Sequence, residues 1–455
     1  MKAPDCGDIG FRQTNTLLVD TDLEDLLRGW SVHILAGRAI ALRENHFIDL
    51  INLVGGPGSI AANGDPMDLR RGNLRRLRYR LGGHGDLQSE PAEGFQADFA
   101  ALNVAARSGN SDGGIEPFRL HSGAPCAFLP LAFSEGVANI SLDSIHNDAT
   151  LLTLSHWPNN HTPEQFKANL STESVLRYIE QSPEHPVART VVTDHFDLDG
   201  LASVYAFMDP EYALEKRELL LGIARWGDFS RGDSLEATRA ALALMEIAKR
   251  AGAAPGLDRN ARLRSAFAAT LPRMRHVLAN MHEYESLYAP GIDSLRRAEL
   301  LLSRPDVSLE EKPDIDMAIF RLPESNAMEP LDYAADYFGL PGASFHNRSK
   351  CGTIVLVHGG RIEVRQRYET WVERVCGIPR SRRDLSIFRR ALQEAELADA
   401  VWKYDGVEHI MPSLKLRTST ASTHSVERVL AELSRFLECA PPAWEPTLTR
   451  AALVD

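Results

Sequence analysis

Residues 194 to 199 read Asp-His-Phe-Asp-Leu-Asp, and Gly200 follows at once. Carboxylates are hard oxygen ligands and imidazole suits transition metals, so Asp194, His195, Asp197 and Asp199 together favour Mn²⁺, Fe²⁺ or Zn²⁺ over Ca²⁺. The stretch stands between two apolar runs, TVVT at 190 to 193 and LASVYAFM at 201 to 208. The first has strand chemistry and the second helix chemistry, which puts the acids in a strand-to-helix turn. A helix starting near Leu201 aims free N–H groups and its positive dipole end at the same point, an arrangement suited to a phosphate beside a metal. One ion or a pair held there can polarise a phosphoryl oxygen and acidify a water. The plainer reading is a polar turn with Asp199 as helix cap, but acids and imidazoles crowded at one point repel one another without a cation. A calcium loop of the EF-hand type fails on register, because its closing glutamate would fall at Ala206.

In an open parallel sheet, the loops at the carboxyl ends of the strands converge on one crevice. A second strand-like run, ATLLTL at 149 to 154, ends in Ser155-His156, so His156 is expected to join the same site. Asp228 lies in GDFSRG (227 to 232) after an apolar stretch, where a loop can return to the crevice. His146 and His161 lie near the first strand and read as ordinary surface or capping histidines. On the substrate side, Arg361, Glu363, Arg365 and Arg367 alternate along one face of a strand. Arginine forks bind phosphate or carboxylate bidentately, and the plainer alternative is the solvent side of a half-buried sheet. His346 and Asn347, in a polar loop, are further substrate-binding candidates, while RSRR at 380 to 383 reads as a solvated loop.

The elements that must position these groups follow from the pattern of the chain. Its 455 residues suggest roughly two to four domains. Residues 1 to 125 read as an N-terminal appendage ending near the glycine-dense SGNSDGG at 108 to 114. From 130 to 250, strands and helices alternate (149 to 154, 163 to 181, 190 to 193, 201 to 208), which predicts a doubly wound α/β domain on a parallel sheet. Helical periodicity then dominates, giving a connector over 251 to 312. The last region, 313 to 445, carries a hairpin pattern, TIVLV-HGG-RIEVRQRYETWV, and reads as a smaller α/β domain.

Composition narrows the function. Hydrophobic residues at 44% and charged residues at 25% are ordinary for a globular protein, and a net charge of −12 makes a nucleic-acid backbone an unexpected partner. The arginine run at 70 to 80, with Tyr79, is the one local exception, and GGPGS at 55 to 59 lacks the ending of a phosphate-binding P-loop. No apolar run approaches the length of a membrane span and the N-terminus lacks a signal-peptide core, so a cytoplasmic protein is expected. The five cysteines lie far apart and read as thiols rather than as disulfides or a zinc site.

HFDLDGLASVYAF resembles the first metal motif of DHH-type phosphoesterases, where an Asp-x-Asp-Gly turn after a strand leads into a helix. LLLGIARWGDF is similar to that family's later segment with an aspartate after an apolar helix. The resemblance implies Asp197, Asp199 and Asp228 as metal ligands, Asp194 or His195 as an upstream partner, manganese as the metal and hydrolysis in a cleft between two domains. The triplet Asp-His-His that names the family is absent, since Phe196 follows Asp194-His195. SHWP, HFDLDG and RYETW together are also similar to an uncharacterised bacterial family. The expected function is therefore a Mn²⁺-dependent hydrolase, with one or two ions, acting on a small phosphorylated or otherwise anionic substrate. Asp194 and His195 stand as its catalytic candidates. Two alternatives accompany it: a relative that binds a ligand or partner without chemistry, and a nuclease. Oligomerisation stays open.

Overall fold

The computed structural model describes residues 117–181, 187–323, 331–375, 382–397, 399–417 and 422–443. The arginine run at 70 to 80, the glycines at 55 to 58 and most of the expected appendage lie outside the described residues.

Two sheets with helices around them make a two-domain α/β fold. The first sheet has four short strands, β1 (Ala127–Pro130), β2 (Asn139–Leu142), β3 (Thr150–Leu154) and β4 (Thr190–Thr193), in the order β1-β4-β2-β3. All of its pairings are parallel. Apolar residues of β2 and β4, among them Ile140, Leu142, Val191 and Val192, are wholly buried, as strands covered on both faces should be.

Helix α1 (Ser171–Gln181) follows β3, and α2 (Leu198–Met208) follows β4. Every residue of α2 is buried, which marks it as the central helix of this layer. α2 begins three residues before the Leu201 expected from sequence. The reason is the cap: Asp197, not Asp199, accepts from Gly200 N at 2.8 Å, so Asp199 and Gly200 fall inside the first turn. The long helix expected over 163 to 181 is broken, with a 3₁₀ turn at Glu164–Phe166 and α1 starting only at Ser171. α3 (Pro210–Glu215) leads into α4 (Arg217–Phe229), which packs on α2. α5 (Leu235–Gly252) comes before the stretch read as a helical connector, and α6 (Arg259–Thr270), α7 (Met274–Ala279) and α8 (Glu285–Leu302) lie within it.

The second sheet has six strands: β5 (Ser308–Lys312), β6 (Met317–Arg321), β7 (Thr353–His358), β8 (Arg361–Gln366), β9 (Trp402–Tyr404) and β10 (Ser413–Leu416), in the order β5-β6-β7-β8-β10-β9. Only the β6–β7 pair is parallel. The expected hairpin is β7–β8, closed by Gly359-Gly360 with φ +54° at Gly359, a conformation that glycine adopts freely. Side chains alternate between two cores. Met317, Ile319, Val364 and Leu414 face α10 (Ser386–Glu394) and α11 (Val426–Cys439), whereas Ala318, Phe320, Ile354 and Leu356 face Tyr337, Phe338 and Phe345, the last of these on α9 (Gly342–His346).

Because both faces are covered, the alternating charges of β8 are not on a solvent side. Arg365 is 1% exposed and pairs with buried Glu363 at 2.8 Å. Nor is RSRR a solvated loop at Arg382, whose buried guanidinium donates to the carbonyls of Val407 and Ile410. Cys126 and Cys351 are buried and outside any disulfide, but Cys439 is disulfide-bonded, against the expectation from cysteine spacing. Separation along the chain says nothing about distance in space. No helix among the described residues is long and apolar enough to cross a membrane.

Candidate metal centre

The strand order explains which residues meet. β2 lies between β4 and β3, so whatever follows β2 stands between the groups that follow its neighbours. Asp143 follows β2 directly, in a left-handed conformation (φ +49°). On one side it faces His156, just beyond β3, at 3.6 Å from Oδ1 to Nε2. On the other it faces His195, just beyond β4, at 3.6 Å from Oδ2 to Nε2. One carboxylate thus spans two clusters.

The first cluster is deep. His156 Nε2 lies 3.6 Å from Asp143, 3.7 Å from Asp199 and 3.2 Å from Asp228, and all four side chains are buried. The second is more open: His195 Nε2 lies 2.9 Å from Asp197 Oδ2, and these two side chains keep 23% and 31% of their exposure. Asp143 with His156 and Asp199, and Asp143 with His195 and Asp197, each bring their ligand atoms within 4.8 Å of one another, close enough to hold a metal ion.

Surrounding groups set the orientation of each ligand. His156 Nδ1 donates to the carbonyl of Asn169 at 2.7 Å, which leaves the Nε2 lone pair turned toward the carboxylates. Asp194 Oδ1 accepts from His195 Nδ1 at 3.0 Å and from Ser144 Oγ at 2.8 Å, so it stands one layer behind the ligand atoms and fixes the His195 ring. Asp199 accepts from the backbone N–H groups of Ser171 and Thr172, both at 2.8 Å, and so joins the first turn of α1 to that of α2. Asp228 is in the last turn of α4 rather than in the loop expected from sequence. Gly227 permits this position, since a Cβ there would come within 2.8 Å of Leu198 Cβ on α2. A Cβ on Gly200 would fall 3.2 Å from Asp197 Oδ1 and 3.5 Å from Asp143 Oδ2, so glycine keeps this cradle open.

The electrostatics are those of a site that wants a cation. Burial pushes the Asp143 carboxyl well above the usual carboxylate range, and the charges of Asp197 and Asp199 push it further. Burial also raises Asp228 strongly, again with Asp199 and Asp197. Burial would lower His195, but the Asp197 charge and the hydrogen bonds to Asp194 and Asp197 carry it well above the usual imidazole range. Asp194 and Asp197 resist burial and stay low chiefly through His195. Most telling, Asp143 Oδ2, His156 Nε2 and Asp228 Oδ2 are buried and make no hydrogen bond. Buried polar atoms without partners are rare and costly; His156 Nε2 and Asp228 Oδ2 face each other at 3.2 Å in the deep cluster, and Asp143 Oδ2 faces His195, an arrangement that fits a metal ion.

The expected substrate-binding residues lie on the second sheet and beside it. Arg365 is committed to Glu363 and Asp336, and Arg367 donates to Glu369 and to the carbonyl of Ser349. Both are buried, so β8 does not present them to solvent as an open anion-binding face. Arg361 sits over the ring of Tyr333 at 5.3 Å. His346 joins the carbonyl of Phe229 at 2.8 Å to the hydroxyl of Tyr337 at 2.6 Å, and Asn347 accepts from Gly232 N at 3.2 Å. These two bind the segment just after Asp228. His146 and His161 pack edge to face at 4.5 Å.

Asp143 is the residue of the cluster that sequence reasoning missed. Its signal was present: NISL followed by Asp143 repeats the pattern of TVVT followed by Asp194, an acid directly after a short apolar run. Tyr368 and Trp371 of the RYETW motif also come to the site, Tyr368 against His156 and Trp371 against Trp157.

Fold and cluster together define a two-sheet α/β protein with an aspartate and histidine centre at the carboxyl ends of its parallel strands. Residues 124–448 match a family of unknown function (DUF6687), and the chain belongs to that family. The match takes in both sheets and every residue of the centre. No curated protein and no solved structure is significantly similar to the chain.

Proposed function

We propose that the protein is a metal-dependent hydrolase of the DHH-like kind, using one or two Mn²⁺ ions on a small phosphorylated or otherwise anionic substrate. The observation that carries this reading is that His156 Nε2 and Asp228 Oδ2, buried and without hydrogen-bond partners, stand 3.2 Å apart beside Asp143, whose own unpartnered Oδ2 faces the second cluster. His156, Asp199 and Asp228 would hold a deep ion, His195 and Asp197 a shallower one, and Asp143 would serve both. A bound divalent pair supplies Lewis acidity for an anionic oxygen and makes water a stronger acid at neutral pH.

The protein's own residues do the rest. Asp194 holds His195 with its proton on Nδ1 and thereby offers Nε2 to a cation. The amides of Ser171 and Thr172 lock Asp199 in place, so the deep half is preorganised. The partial exposure of His195, Asp197 and Asp194 makes that half the side from which substrate enters. Phe229 and Tyr368, packed on each other at 6.1 Å, wall off the deep half from water.

Elemental analysis of protein purified without chelator tests the reading, beside the double variant Asp197→Ala/Asp199→Ala. About one or two manganese, iron or zinc ions per chain, lost in the variant, are expected. No metal in the parent protein, even after supplementation, would refute it and leave a ligand-binding protein without chemistry.

A further inference from the structure

The RYETW motif belongs to the second sheet, yet it closes on the centre built by the first. Tyr368 opens the 3₁₀ turn Tyr368–Thr370 directly after β8. That turn is fixed from several directions: Arg367 pairs with Glu369, Thr370 Oγ1 donates to the carbonyl of Arg367 at 2.7 Å, and Arg382 Nε donates to Thr370 Oγ1 at 3.0 Å. Three residues beyond the turn, Glu373 N donates to the carbonyl of His156 at 2.7 Å, so the segment is tied by its backbone to a residue of the centre.

The Tyr368 ring is buried and held on three sides. It meets His156 edge to face at 5.8 Å, Phe229 at 6.1 Å and Trp371 in a stack at 5.7 Å. Two of these neighbours are His156 itself and the residue next to Asp228. A phenol needs only a ring slot to be positioned, and its hydroxyl is then a fixed, neutral donor.

We propose that Tyr368 is a substrate-binding residue of the centre, its hydroxyl donating a hydrogen bond to an anionic oxygen of the bound phosphate or carboxylate group. A phenol is protonated at neutral pH, the form that can donate. A donor preorganised in a water-poor site is worth more than the same group in water. The division of labour follows: the first sheet holds the cation, and the second sheet supplies a neutral contact to what the cation binds. This inference rests on the metal-centre reading above, which uses the Tyr368 ring only as a wall, and assigns a role to its hydroxyl.

The test is Tyr368→Phe in the full chain, which keeps the ring and removes only the hydroxyl. Manganese stoichiometry and the thermal midpoint are measured first, then the affinity of the manganese-loaded protein for inorganic phosphate by calorimetry. Unchanged manganese with phosphate binding weakened about tenfold or more is expected, the scale of a lost hydrogen bond to a charged group. Equal phosphate affinity in parent and variant would overturn the inference while leaving the metal centre standing, as would a parent protein that holds manganese but not phosphate. Loss of manganese in Tyr368→Phe would also overturn it, because the hydroxyl would then serve the cation and not the substrate. A parent protein without metal refutes the underlying reading instead.

Discussion

At the scale of single residues, Asp143 and Asp194 make a contrast that composition cannot show. Both are aspartates placed directly after a short strand of the same parallel sheet. Asp143 is buried between two imidazoles, whereas Asp194 is partly exposed and spends its carboxylate on His195 and Ser144. Asp143→Asn is therefore expected to lose most bound metal at both halves, while Asp194→Asn keeps the deep ion and loosens the shallow one, with metal affinity down roughly 10- to 100-fold, the usual cost of an orienting partner. Metal content of the two variants after equal dialysis checks this. Comparable loss from both would mean that Asp143 does not span two ions. The same scale explains a role that the turn sequence left ambiguous. Asp197 caps α2 while Asp199 reaches back to the α1 amides, so the plainer reading of Asp199 as the helix cap does not hold.

At the scale of elements, close packing decides where ligands go. α4 carries Asp228 to the centre only because Gly227 lets it lie against Leu198 of α2. Gly222, one turn and a half earlier on α4, has the same relation to Ala237 of α5, with 2.7 Å left for a Cβ. Gly227→Ala is expected to destabilise the fold by about 1–3 kcal/mol through overpacking and to move Asp228 away from His156. Metal affinity should fall further than in Gly222→Ala, which strains the same helix farther from the centre. Thermal melts read the first effect and metal titration the second; equal metal affinity in the two variants would separate Asp228 from the site. In the second sheet the corresponding element is β8. Its buried Arg365 neutralises Glu363, and Arg365→Met should cost about 3–5 kcal/mol by leaving that carboxylate uncompensated. Denaturant unfolding measures it, and a neutral result would mean that Glu363 takes up a proton at little cost.

At the scale of the whole molecule, the two sheets are joined through the segment beyond Asp228. His346, next to β7's approach, donates from Nδ1 to the carbonyl of Phe229 and accepts from Tyr337 at Nε2. Burial, helped by the charges of Arg367 and Arg365, lowers its affinity for a proton well below that of a free imidazole. The unfolded chain therefore binds more protons in the window below about pH 6.5, and stability rises with pH there. As pH falls below about 6.5, the folded state is expected to lose stability progressively. The fall in thermal midpoint between neutral and mildly acid pH should be smaller in His346→Gln than in the parent. The same slope in both would show that other groups govern the acid limb.

Much of this was legible in the chain. Short apolar runs ending in polar residues, with an interposed helix, specify a parallel sheet and the edge on which its chemistry sits, because only buried parallel strands read as unbroken apolar segments. That logic places His156, Asp194, His195, Asp197 and Asp199 at one edge of the sheet from the sequence. It could not rank them, since the strand order β1-β4-β2-β3 makes Asp143 central, and strand order is a long-range property that local pattern does not encode. The burial of Arg365 and Arg367 was hidden for a related reason. An alternating charged strand looks the same whether its polar face meets water or a second layer, and here Tyr337 and its neighbours cover it. Residue types and spacing thus determined that acids and imidazoles crowd one strand-to-helix turn; the packing of one sheet's helices and the second sheet's RYETW turn decided which atoms surround it, because contacts between distant segments are set by how layers bury their apolar faces.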